Sequence, residues 1–70
     1  MYDVLRKRLR QLDIDQTELA RRMHVAQPYI SRRLTGRVPW RADEMYFLLD
    51  LCKAQPEELH IYFPRGGRSA

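Results

Sequence analysis

The chain has 70 residues, 13 of them lysine or arginine and 9 aspartate or glutamate, for a formal net charge of +4. That length gives one small domain with a marginal core, because below roughly 70–80 residues burial rarely contributes more than about 3–5 kcal/mol; pairing with a second copy is an expected source of stability. The lone Cys52 excludes an intramolecular disulfide and fits a reducing cytosol, no apolar run nears the roughly 18 residues of a membrane span, and MYDVLRKRLR lacks a signal-peptide core, so a cytoplasmic location is expected.

Val4, Leu5, Leu9 and Leu12 recur at helical spacing and predict an amphipathic helix from about Tyr2 to Leu12, broken by Asp13-Ile14-Asp15. Asp15 is a good N-cap, and Glu18 three residues later completes a capping-box pattern. The helix they open runs Gln16 to Met23 and buries Leu19, Ala20 and Met23. His24-Val25-Ala26 is long enough only for a tight turn. A third helix is predicted from about Gln27 to Thr35, with Ile30 and Leu34 inward. Pro28 is tolerated in its first turn, and Gly36 is the natural left-handed terminator.

Arg37 to Trp40 reads as a loop that Pro39 helps to fix, with Trp40 either a core lid above it or a phosphate-side contact. The fourth helix, about Ala42 to Lys53, buries Ala42, Met45, Leu48, Leu49 and Cys52. Its first turn carries Asp43 and Glu44, where the helix dipole favours them. A short fifth helix starts at Pro56, with Glu57 and Glu58 in its first turn and Leu59 inward. His60-Ile61-Tyr62-Phe63 follows, and residues 64–70 read as a polar, disordered tail. The expected fold is all-α: one compact domain of five short helices over residues 1–63.

Charge is laid out unevenly. Residues 1–18 are balanced, residues 19–42 carry six arginines and no acid, and residues 43–63 carry five acids against Lys53 alone. A basic stripe beside an acidic segment points to a polyanion on one side of the molecule. Arg21 and Arg22, and likewise Arg8 and Arg10, read as solvated outer helix faces. His24, His60 and Cys52 have no zinc spacing. No Ser/His/Asp grouping, glycine-rich phosphate loop or paired carboxylates suggest an enzyme. No cofactor, metal or small-molecule substrate is therefore expected.

Two short helices joined by a three-residue turn, the second followed by glycine, make a helix-turn-helix pattern. Ala20 is small where the two helices cross, while Val25 and Ile30 plug the crossing. Such packing holds the second helix out from the body, so that its N-terminal half can enter a major groove.

Asp15-Gln16-x-x-Leu19-Ala20-x-x-Met23-x-Val25-x-Gln27-x-x-Ile30-Ser31-Arg32-x-x-x-Gly36 resembles the phage repressor and Cro-like, or Xre-type, DNA-binding family. The resemblance covers about Leu5 to Phe63, and a five-helix domain of this length is similar to small Cro-type phage regulators. It implies that Gln16 grips a phosphate and braces Gln27, which reads adenine through a bidentate amide contact. It places Pro28, Ser31 and Arg32 at the other base-facing positions, with Arg32 able to fork onto guanine. Tyr29, Thr35 and Arg37 match phosphate-binding positions, and Tyr62 and Phe63 either lie where relatives usually pair or fold back onto the domain core. Three positions depart from the pattern. His24 replaces the usual turn glycine, Ala26 the usual Ser or Thr cap, and Arg33 an apolar residue, its stem packing while its head reaches a phosphate.

The function expected is that of a sequence-specific regulator of transcription, a Cro-type repressor. It would bind double-stranded DNA as a homodimer at half-sites about 34 Å apart on a near-palindromic operator. The alternative is a protein-interaction module, an antirepressor or antitoxin-like partner of the same fold. That module would use the acidic fourth and fifth helices and Ile61-Tyr62-Phe63 as its surface.

Overall fold

The computed structural model describes residues 2–64, so the predicted tail beyond Pro64 lies outside the described residues. Five α-helices follow one another with no strand among the described residues: α1 Asp3–Gln11, α2 Gln16–Met23, α3 Gln27–Leu34, α4 Ala42–Leu51 and α5 Leu59–Tyr62. A 3₁₀ turn at Pro56–Glu58 leads into α5. None of these helices is long and apolar enough to cross a membrane.

The helix ends explain the short elements. Each of the first four helices closes with one residue in the left-handed region: Asp13 at φ 57°, His24 at 59°, Gly36 at 81° and Lys53 at 55°. In every case the next amide donates to a carbonyl five residues back. The bonds are Ile14 to Leu9 at 2.9 Å, Val25 to Ala20 at 3.0 Å, Arg37 to Arg32 at 2.9 Å and Ala54 to Leu49 at 2.9 Å. This is the Schellman closure. Glycine, which has no Cβ to clash there, marks only one of the four.

At the other end of α2, the Asp15 carboxylate accepts the Glu18 N–H at 2.8 Å, as the cap was expected to do. Glu18 does not return the bond. Its carboxylate takes Arg21 at 2.6 and 3.0 Å and Arg22 at 2.8 Å, because both arginines lie one turn further along the same helix face. In α4, the Glu44 carboxylate accepts the Arg41 N–H at 2.8 Å.

The core gathers one stripe from each helix: Leu5 and Leu9, Leu19 and Ala20, Ile30 and Leu34, Met45 with Leu48 and Leu49, then Tyr62. Trp40 joins it as the expected lid, and its ring lies 6.3 Å from Tyr2 and 6.0 Å from Phe63. Tyr62 is 8% and Phe63 1% exposed. Of the two expected arrangements for these aromatics, pairing or folding back, the single chain shows the second: both pack onto the domain's own core. Ala42 is exposed and Glu44 buried instead, because the register of α4 turns the carboxylate inward.

Two arginines of α1 tie the helices together. Arg6 donates to the Leu34 carbonyl at 3.1 Å and Arg8 to the Cys52 carbonyl at 3.2 Å. Each places a cation at the C-terminal end of another helix, where the dipole and the unsatisfied carbonyls favour it. The end of α3 is thereby anchored to the scaffold.

Candidate nucleic-acid interface

Helices α2 and α3 cross over Leu19, Ala20 and Ile30, which are 0%, 3% and 0% exposed. His24 takes the left-handed conformation that the glycine-less turn demands, and its side chain stays exposed. Ala26 opens α3 in extended geometry with no side-chain cap. What joins the two helix N-termini instead is a side-chain bond: the Gln27 amide donates to the Gln16 side-chain oxygen at 2.6 Å. This is the brace that the resemblance implied.

The faces of α3 separate cleanly. Ile30 and Leu34 point inward, while Gln27, Pro28 and Arg32 are exposed and Ser31 is half-buried beside them. Thr35 is exposed, but its hydroxyl donates to the Ser31 carbonyl at 2.9 Å. A phosphate needs a donor, and this one is turned onto its own helix.

On the remaining flank of α3, Tyr29 and Arg33, the expected phosphate ligands, turn toward Glu44. Arg33 is 9% exposed, with its Nε donating to a Glu44 carboxylate oxygen at 3.1 Å and its guanidinium carbon 3.5 Å from the centre of the Tyr29 ring. The Tyr29 hydroxyl donates to the other Glu44 oxygen, and that bond holds the phenol's pKa above its ordinary value. Both groups face α4, because Glu44 offers two oxygens at a buried site where an unpaired guanidinium would be costly.

The six arginines of the acid-free stretch thus fall into distinct groups. Arg21 and Arg22 share Glu18, whose carboxyl is held down to about 2 by hydrogen bonds from Arg21 and then Arg22. Arg33 is held by Glu44. Arg41 lies 3.4 Å from Asp43, with both side chains mostly in solvent. Arg32 and Arg37 are exposed and have no hydrogen-bonded or ion-paired side-chain partner among the described residues. They flank the outer face of α3.

One further cation belongs with this surface. Arg10, read from sequence as an outer helix face, is exposed and lines a shallow cleft with Asp15 and Gln16. That cleft spans the break between α1 and α2, so helical periodicity along α1 alone carries no sign of it.

The helix-turn-helix family model matches residues 5–59, from the middle of α1 to the first residue of α5. No curated protein and no solved structure matches the chain. With an exposed second helix braced by Gln16 and closed by Gly36, the chain belongs to the Xre or lambda-repressor-like helix-turn-helix family of DNA-binding regulators.

Proposed function

We propose that this chain is a sequence-specific, Cro-type repressor that reads double-stranded DNA with α3. The observation that carries the proposal is the Gln16–Gln27 brace on an exposed face flanked by the unpaired Arg32 and Arg37. A glutamine whose amide is already oriented loses less freedom on forming a bidentate contact with adenine. Arg32 supplies a fork for guanine, Ser31 a small polar contact and Pro28 an apolar one for a thymine methyl. Gln16, Arg37 and Arg10 hold the backbone phosphates that fix the register. Thr35 joins them only after giving up its bond to Ser31.

A homodimer would present two copies of α3 to half-sites one helical turn apart on a near-palindrome. With Tyr62 and Phe63 in the core, Ile61, 45% exposed on α5, is the apolar residue left nearest the expected pairing surface. Repression would follow from occluding polymerase. Selection from random duplexes tests the reading, because one recovered motif reports specificity, spacing and symmetry together. Recovery of no motif would overturn it, and recovery of a single asymmetric half-site would overturn the dimer.

A second reading is favoured by a different observation. Tyr46 and Phe47 are 55% and 41% exposed on the outer face of α4, between Asp43 and Asp50. A protein-interaction module would use that stripe and bind random duplex DNA poorly at any salt. A DNA binder instead loses affinity steeply as salt rises.

A further inference from the structure

The geometry points to Glu44 as the positioning residue of the reading face: through Tyr29 and Arg33 it fixes the roll of α3 about its own axis, and so the aim of Gln27, Ser31 and Arg32. The inference rests on the proposed DNA-binding role of α3 and goes beyond it, because Glu44 sits on α4 and touches no base.

Apolar contacts hold α3 down but set its roll only coarsely, since burial of Ile30 and Leu34 is non-directional. Roll is fixed by hydrogen bonds on the flanks. One flank carries the bond from Gln27 to Gln16 at 2.6 Å. The opposite flank carries Tyr29 and Arg33, one turn apart, and both end on the two oxygens of Glu44. The same carboxylate accepts the Arg41 N–H at 2.8 Å, which anchors it to the start of α4. Arg33 also donates to the Tyr29 carbonyl at 3.4 Å and stacks on its ring, so the two side chains move together. Glu44 is only 8% exposed, and its three donors leave it little freedom to turn.

The tolerance is small. A side-chain tip lies about 5–6 Å from a helix axis, so a roll of about 20° carries it about 2 Å. Base-edge hydrogen bonds do not survive that displacement. Buried ion pairs are poor sources of net stability, and their best-attested use is to fix one arrangement among several.

The test is the pair of substitutions Tyr29→Phe and Arg33→Met, which keep the ring and the stem and leave the Glu44 cap on α4 intact. Affinity for random duplex DNA and its salt dependence should match the parent protein. Preference for the selected site over random duplex should fall about tenfold or more, the worth of one misaligned bidentate pair. Unchanged preference would overturn the inference. A uniform loss on all sequences with a shallower salt dependence would also overturn it, by showing that these side chains hold phosphates. Should the double variant fail to fold, Tyr29→Phe alone removes a single oxygen and is judged by the same two ratios, with a smaller loss of preference expected. Exchange of the Arg33 Nε proton in the free protein is the readout that needs no DNA. Exchange as fast as that of Arg37 would overturn the clamp, whereas slow exchange in a protein that selects no motif would locate the failure in the DNA-binding reading.

Discussion

His24→Gly should stabilise the domain. His24 sits at φ 59° and ψ 43°, where an L-residue sets its Cβ against the following carbonyl at a cost of roughly 1–2 kcal/mol. Glycine removes that clash but gives up about 0.5–1 kcal/mol of additional backbone entropy on folding. The net gain is about 0.5–1 kcal/mol. Asp13 and Lys53 occupy the same conformation at the ends of α1 and α4. The three residues close three different helices, so their effects should add to about 1.5–3 kcal/mol. Lys53 gives the most, because aspartate and histidine visit this region more readily than lysine.

For a domain of this size each kcal/mol moves the melting midpoint by about 4–8 °C. Urea denaturation followed by helical circular dichroism measures the gain directly. His24→Ala is the control, since alanine keeps the Cβ and should give no gain. A glycine variant no more stable than the parent, with the urea slope unchanged, would refute the strain argument.

Arg32→Ala should relax discrimination by about 1–3 kcal/mol at one base pair, whereas Arg37→Ala should weaken binding evenly on all sequences; competition against single-base variants of the selected site separates the two. The salt dependence of binding should be steep, yet well short of what the whole basic stretch would give. If only Arg10 and Arg37 of each protomer neutralise phosphates, the logarithmic slope for a dimer is about −4, against about −11 if all six mid-chain arginines did so. Titration of the Glu18 carboxyl by NMR should give a midpoint of about 2, returning toward the ordinary 4.5 in an Arg21→Ala/Arg22→Ala variant. Because this carboxyl titrates lower in the folded chain, its contribution to stability is present above the ordinary value. It is lost as pH falls from about 4.5 through about 2.

Much of the fold was legible because its signals are local. The apolar spacing, the Asp15 cap and Gly36 place α2 and α3 to within a residue, and Gln16 to Gln27 carries a motif that fixes both partners of the brace. The features that the sequence did not show depend mostly on residues distant in sequence. Arg33 and Glu44 are eleven residues apart across a loop, and no periodicity links them. Tyr62 and Phe63 look like exposed aromatics near a chain end until Tyr2 and Trp40 are brought against Phe63. Glu18 has the right spacing for a capping box but also two arginines one turn ahead, and a charged partner is the stronger one.

The acid-free stretch looked like a broad basic stripe, and the fold narrows it. The acids at its two borders do this. Glu18 lies just before the stretch and holds Arg21 and Arg22, while Asp43 and Glu44 lie just after it and meet Arg41 and Arg33. The charges left uncompensated are those of Arg32 and Arg37, at the outer side and the end of α3. Four of the six charges therefore add little to the far field, and the remaining two act where side chains can reach a groove. A field concentrated at the tip of one helix favours approach in a single orientation, whereas an evenly basic surface attracts a polyanion in many. On the proposed DNA-binding role, the order of charges along the chain, with acids at both edges and none between, serves orientation more than affinity.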